Sequence, residues 1–252
     1  MTIFQSIILG LVQGIAEWLP ISSSGHLVLF EHWLGLVVNV EFDIFLHLAS
    51  LIVVLVFFRK EWLEILKLLF RPKKFSLNQR KNWPWYLILS TVITGFLGWI
   101  FYQQIDLFRN PISVAGWLVV TSLLLLATAF SKERAKMSWA IAIVLGLIQG
   151  LAVLPGVSRS GALIALALVL GIKKKDAFDY AFLLAIPAIA GSFFLALDNF
   201  VWQWVYLYGF ILTIIAGYFS LILLKKIINH NYFHWFFIYT GLLALFVFIF
   251  SK

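Results

Sequence analysis

Glu17-Trp18-Leu19-Pro20-Ile21-Ser22-Ser23-Ser24-Gly25-His26 breaks an apolar stretch that runs from residue 3 to residue 38. A second break, Leu154-Pro155-Gly156-Val157-Ser158-Arg159-Ser160-Gly161, divides the apolar stretch 138–172. A membrane crossing needs about 20 apolar residues, and each break leaves arms of only roughly 13–17. Pro removes a backbone donor and Gly loosens the helix. Non-helical backbone at membrane depth survives only where protein buries it or where it lines a wet cavity. Both stretches therefore read as helix–loop–helix hairpins that dip into a membrane and return.

The two stretches are copies. A shift of 136 residues aligns 8–27 with 144–163, and ten of the twenty positions are identical. Among them are Gly10/Gly146, Gln13/Gln149, Gly14/Gly150, Ser22/Ser158, Ser24/Ser160 and Gly25/Gly161. Outside the hairpins, six stretches suit helical spans: 42–58, 83–102, 112–130, 177–197, 200–224 and 232–250. The expected fold is an all-α integral membrane protein, with six transmembrane helices plus two re-entrant hairpins. It forms a single membrane domain over 1–252. Repeat 1 covers 1–131 and repeat 2 covers 138–252. Each holds one hairpin and three spans, and because three is odd the second repeat is inverted. Inverted repeats bring their broken segments together near the bilayer midplane.

Composition agrees. Of 252 residues, 63% are apolar and 12% charged, far from the soluble norm, and the mean hydropathy is +1.00. This excludes an ordinary soluble enzyme and a disordered chain. The net charge of +8 does not indicate nucleic acid, because the bases sit in short runs between apolar stretches. There is no Cys, hence no thiol nucleophile, disulfide or zinc–thiolate site. No cleavable signal peptide is expected, since no basic leader precedes the first apolar run.

Basic residues orient the chain. The segments 59–82, 131–137, 171–176 and 225–231 carry eight, three, three and two Lys/Arg, sixteen in all, on one side of the hairpin topology. The other side holds Arg109 and Lys252, while Arg159 lies inside the second hairpin. The sixteen-residue side is expected to be cytoplasmic. A single crossing by the second broken stretch would spoil this sorting. Arg59-Lys60-Glu61-Trp62-Leu63-Glu64-Ile65-Leu66-Lys67-Leu68-Leu69 reads as an amphipathic interfacial helix.

Ionisable residues at membrane depth are costly and so point to function. Those in the breaks are Glu17, His26 and Arg159, beside Ser22, Ser23, Ser24, Ser158 and Ser160. Gln13 and Glu17 are four apart and share a helical face, as do Ser23 and His26 at three apart. Each returning arm points a helix N-terminus at the centre, where unpaired N–H groups favour an anion. Two such ends with Arg159 suit a diphosphate. Glu17 and Gln13 can hold a divalent cation through oxygen, with phosphate completing the shell. Ser23 or His26 would be the nucleophile and the other an acid or base. Blander readings stand beside these: a structural Glu17–Arg159 pair, His26 as a loop cap, and serines that satisfy open backbone. Asp43 and His47, four apart near the outer surface, rank lower, because an ordinary helix start explains Asp43. His32, His230 and His234 read as interface or loop residues. Lipid phosphatases of the type-2 phosphatidic acid phosphatase group are excluded, because no His lies between Arg159 and His230.

At these residues the sequence resembles the undecaprenyl-diphosphatase family of the bacitracin-resistance type. Its first motif, (E/Q)-x-x-x-E followed by L-P-x-S-S-x-G-H, is matched by Gln13 to Glu17 and Leu19 to His26. Its second, P-G-x-S-R-S-x-x-T, is matched from Pro155 to Ala162 and ends on Leu163 instead of Thr. Phe42-Asp43, Leu46-His47-Leu48, Phe182 to Pro187 and Tyr239-Thr240-Gly241 are similar to further family landmarks. The resemblance implies hydrolysis of a polyprenyl diphosphate to the monophosphate, recycling a cell-wall lipid carrier and conferring bacitracin resistance. It implies a site at the outer face of the cytoplasmic membrane and dependence on Mg²⁺ or Ca²⁺. Glu17, Ser23 and His26 would be catalytic, and Glu17 and Gln13 would bind metal. Arg159, Ser158, Ser22 and Ser160 would bind the diphosphate. The expected partners are the lipid substrate and membrane lipids, with a homodimer left open and nucleic acid excluded. The rival class is a polyprenyl-phosphate flippase, with or without hydrolysis. An inactive scaffold, suggested by Leu163, is the third reading.

Overall fold

The computed structural model describes residues 1–35, 40–70, 80–196 and 202–251. Twelve α-helices lie in these segments: α1 (Ile3–Ala16), α2 (Ser23–Trp33), α3 (Val40–Phe57), α4 (Arg59–Phe70), α5 (Trp83–Tyr102), α6 (Ile105–Phe108), α7 (Pro111–Ala127), α8 (Trp139–Leu151), α9 (Arg159–Val169), α10 (Lys174–Ala196), α11 (Tyr206–Asn229) and α12 (Phe236–Phe250). Among the described residues the β structure is one isolated bridge, Ala135 to Ile172. This is an all-α, multi-pass membrane protein. Five segments are long and apolar enough to cross a membrane: Trp83–Phe101, Pro111–Phe130, Lys174–Phe194, Tyr206–Asn229 and Phe233–Phe250. The sixth span, at α3, qualifies when taken with α4, from which it bends by 78°. The bend turns the charged, amphipathic α4 away from the axis of α3.

The expected span 200–224 differs most from the helix observed, which starts at Tyr206 and ends at Asn229. Trp202 and Trp204 are apolar and so extend the hydropathy window, yet both lie outside the helix and are exposed. Aromatic rings in such positions suit the membrane–water interface. Residues 197–201 lie outside the described residues.

The breaks form where the sequence places them. α1 stops at Ala16, with Glu17 as its C-cap, and α2 starts at Ser23 behind the N-cap Ser22. In the copy, α8 stops at Leu151 and α9 starts at Arg159 behind Ser158. Each N-cap serine accepts the backbone N–H three residues on, Gly25 at 3.2 Å and Gly161 at 3.1 Å. The copies also pack alike. α1 lies on α11, α8 on α5, α7 on α12 and α3 on α10. Thr213 donates to the Gly10 carbonyl at 2.9 Å, and Thr94 donates to the Gly146 carbonyl at 3.1 Å. Backbone meets backbone at Gly10, where a Cβ would lie 2.3 Å from the Gly209 oxygen. Small residues at such crossings let membrane helices approach closely.

Both ends of the second broken stretch lie together. At the second hairpin, the amides of Arg134 and Ala135, before α8, both donate to the Gly171 carbonyl beyond α9 at 2.8 Å. The basic connectors meet at that end. Arg80 pairs with Asp176 and Asp179 at 2.7 Å each, and Lys174 bonds to Asn231. At the other end, Ser6 of α1 donates to the Val205 carbonyl at 2.7 Å. There Arg109 pairs with Glu31 of α2 at 2.8 Å and Asp43 of α3 at 2.7 Å. Arg109, the lone internal base expected on the outer side, is therefore a buried clamp between two helices.

Candidate active site

The tips of the two hairpins meet, and Glu17 sits between them, only 4% exposed. One carboxylate oxygen, Oε1, receives Arg159 from the second hairpin. The other, Oε2, accepts a hydrogen bond from Ser23 Oγ at 2.5 Å and one from Gln13 Nε2 at 3.0 Å. His47 Nδ1 lies 3.2 Å from the same oxygen. Gln13 reaches Glu17 because the i, i+4 spacing sets both on one face of α1. Ser23 and Arg159 reach it because each is the first residue of its helix, at an N-terminus aimed at the centre. A buried carboxylate would be costly alone. Here a guanidinium and three further polar groups compensate it.

His26 is held elsewhere. Its Nδ1 lies 2.8 Å from the Ser22 carbonyl and its Nε2 lies 2.7 Å from the Tyr239 hydroxyl. The two rings stack at 5.8 Å with planes 7° apart. Both ring nitrogens thus meet partners other than Ser23 and Glu17, although Ser23 and His26 belong to the same turn.

The remaining serines tie backbone together. Ser22 adopts a positive φ of 70°, rare for a side-chain-bearing residue, and its Oγ accepts the Gly156 amide of the second hairpin at 3.1 Å. Ser160 Oγ donates to the Leu19 carbonyl of the first hairpin at 3.2 Å. Ser158 caps α9, and its own amide donates to Thr121 at 3.0 Å. Glycine is required at 156, where φ is 102° and a Cβ would lie 2.4 Å from the Val114 carbonyl oxygen. Leu163, which stands where the family motif has Thr, is buried in the main apolar cluster.

Two residues that the sequence ranked low or noted only as a landmark join the site, His47 and Tyr239. His47 stands one helical turn from Asp43, about 6 Å along α3. Asp43 closes onto Arg109, while His47 joins Glu17 and Gln13. The i, i+4 spacing was visible; which neighbour each would meet was not. Tyr239 lies 213 residues from His26, and no local spacing connects them.

The donor set suits a hard cation only in part. Among the described residues there is no cluster of three or more His, Asp or Glu able to hold a metal. One observation favours an ion: Gln13 Oε1 is buried with no hydrogen-bond partner, while the other end of the same amide meets the carboxylate. An orphaned acceptor in a residue that touches a carboxylate fits Mg²⁺ or Ca²⁺, which take oxygen ligands and share phosphate and water.

The fold and the site together define a class: helical membrane proteins with a buried hydroxyl–carboxylate–guanidinium cluster where two broken helices meet. Sequence comparison makes this specific. A family model described as bacitracin resistance protein BacA matches residues 6–246, and the chain belongs to that family. The chain is similar to the undecaprenyl-diphosphatase of Methanosphaera stadtmanae, with 36% identity and 90% of each chain covered. It is similar to undecaprenyl-diphosphatase 1 of Shouchella clausii, with 34% identity, 100% of this chain and 97% of the relative. The undecaprenyl-diphosphatase of Carboxydothermus hydrogenoformans is 36% identical over 97% of this chain and 96% of its own.

Proposed function

We propose that this protein hydrolyses undecaprenyl diphosphate to undecaprenyl phosphate and inorganic phosphate in the cytoplasmic membrane. The names of its relatives support the substrate, and the site supports the chemistry. The observation that carries the reading is the 2.5 Å hydrogen bond from Ser23 Oγ to Glu17 Oε2, with Arg159 on the opposite oxygen. It pairs a nucleophile with a base beside a cation that can hold phosphate.

The diphosphate enters between the hairpin tips, and Arg159 exchanges Glu17 for the terminal phosphate oxygens. The departure of Arg159 removes one of the positive charges that lower the proton affinity of Glu17. Glu17 takes the Ser23 proton. The Oγ–P bond forms as the bond from phosphorus to the bridging oxygen breaks, and undecaprenyl phosphate leaves. Water then attacks the phosphoserine, the Oγ–P bond breaks, Glu17 returns its proton to Oγ, and phosphate departs carrying both protons of the water. Arg159 and the α9 N-terminus stabilise the charge of the transferred group. His26, held between Ser22 and Tyr239, fixes the first turn of α2 and so positions Ser23. Mg²⁺ or Ca²⁺, held by Glu17 and Gln13, would supply charge neutralisation on the phosphate.

In this reading both hairpins are re-entrant, the first from outside and the second from the cytoplasm, with the site open to the outer face. The basic end described above is then cytoplasmic. A protein that only carried polyprenyl phosphate across the membrane would have no need of a hydroxyl bonded to a carboxylate.

Purified protein is expected to release phosphate from farnesyl diphosphate with Mg²⁺ or Ca²⁺. Ser23→Ala, Glu17→Ala and Arg159→Ala should each lower the rate by about a thousandfold or more. Full activity in both Glu17→Ala and Arg159→Ala would overturn the site.

A further inference from the structure

The geometry points to His47, through Nδ1, as a third protein donor for the divalent cation held by Glu17 and Gln13; this rests on the diphosphatase reading above. Three side-chain ends converge. His47 Nδ1 lies 3.2 Å from Glu17 Oε2 and 2.8 Å from the Gln13 amide nitrogen, which itself lies 3.0 Å from Oε2. Neighbouring donors around an octahedral ion bonded at 2.0–2.1 Å stand about 3 Å apart. The triangle already has that edge.

The hydrogen bonding of Gln13 strengthens the case. Its NH₂ group faces three acceptors, Glu17 Oε2, His47 Nδ1 and, at 3.3 Å, Ser50 Oγ, but owns only two hydrogens. Its carbonyl oxygen, in a residue with no exposed surface, has no partner at all. A half-turn of the amide exchanges the two ends. Oxygen then faces a carboxylate oxygen and an imidazole nitrogen, three electron pairs that one cation can take together when Nδ1 carries no proton. In that arrangement His47 carries its proton on Nε2 and offers the Nδ1 lone pair, the form in which His ligates metals.

An imidazole donor changes the choice of ion. Carboxylate and carbonyl oxygen alone suit Mg²⁺ and Ca²⁺, while a nitrogen donor shifts preference along the series towards Mn²⁺, Co²⁺ and Zn²⁺. This chain is therefore expected to bind Mn²⁺ more tightly than Ca²⁺, with His47 setting the difference. Phosphate and water fill the remaining positions.

The test is pulsed electron paramagnetic resonance of the full-length protein in detergent, loaded with Mn²⁺ alone. Modulation from a directly bound imidazole nitrogen is expected in the wild type. It should vanish in His47→Gln and persist in His26→Gln. In parallel, Mn²⁺ affinity should fall about tenfold in His47→Gln while Ca²⁺ affinity changes by less than about threefold. A wild-type spectrum without nitrogen modulation overturns the proposal, and so does modulation that survives in His47→Gln. The wild-type spectrum needs no variant, so misfolding of His47→Gln does not protect the idea. Phosphate release from farnesyl diphosphate by the same preparation separates the two readings. Hydrolysis without nitrogen modulation defeats only the role of His47, whereas nitrogen modulation without hydrolysis defeats the diphosphatase reading.

Discussion

His26 Nε2 meets the Tyr239 hydroxyl at 2.7 Å, and the two rings lie nearly parallel. This contact joins the first hairpin to the last helix. It also turns the imidazole away from the carboxylate that holds Ser23. A nucleophilic His26 would have to give up Tyr239 to free Nε2, whereas Ser23 is already bonded to its base. Tyr239→Phe should therefore keep a measurable rate, lowered about three- to tenfold, with most of the loss in kcat. Ser23→Ala should fall to background. Steady-state kinetics on farnesyl diphosphate check both. An inactive Tyr239→Phe beside an active Ser23→Ala would reverse the roles.

The Gln13–Glu17 pair predicts a particular metal response. Gln13→Glu adds a second carboxylate beside Glu17, so the pair then repels without a cation and attracts one more strongly. Affinity for Mg²⁺ or Ca²⁺ should rise about tenfold, and thermal stability without metal should drop. Titration calorimetry with matched melting curves reads both effects. A metal affinity unchanged by Gln13→Glu would mean that this face of α1 holds no ion.

Arg109 is 8% exposed in its side chain and stands between two buried carboxylates, Glu31 and Asp43. Arg109→Ala leaves both without a cation and should cost about 3 kcal/mol or more. Adding Glu31→Gln and Asp43→Asn to Arg109→Ala should recover part of that loss. Chemical unfolding in detergent of the single and triple variants is the measurement.

Close helix contact makes a sharper contrast. Gly10→Ala would drive a methyl group to 2.3 Å from the Gly209 carbonyl oxygen, so α1 and α11 must separate. Gly116, on α7, has open space where its Cβ would be. Gly116→Ala should be neutral or stabilise by about 0.5–1 kcal/mol through helix propensity. Gly10→Ala should instead lower the yield of folded protein and the melting temperature. Fluorescence-detected size exclusion with a temperature ramp compares them directly.

Much of this was legible in the residues. Scarce charge made Glu17 and Arg159 conspicuous, and the shift of 136 residues located both helix starts. Ser22 and Ser158 stood out in the breaks as polar groups for phosphate or open backbone; that each caps a returning helix is visible only in the fold. The clamp at Arg109 was invisible, because a single base in a short connector reads as solvated until two carboxylates from other helices arrive. His47 was misplaced for a related reason. Spacing fixes which residues share a face of α3, but not that α1 brings Gln13 and Glu17 against one turn of that face and not the next. The start of α11 was misjudged because hydropathy does not separate a Trp at the interface from one inside a span.

Ser23 and Arg159 occupy the same position in the two copies, each the first residue of its returning helix, and together they take the two oxygens of one carboxylate. The scaffold thus supplies one slot twice, and the chemistry comes from filling it differently. With the inverted topology proposed above, the face on which the site opens follows from which copy holds the hydroxyl and which the guanidinium. Exchanging Ser23 with Arg159 and moving the carboxylate from Glu17 to the matching Val153 would then aim the same trio at the opposite leaflet.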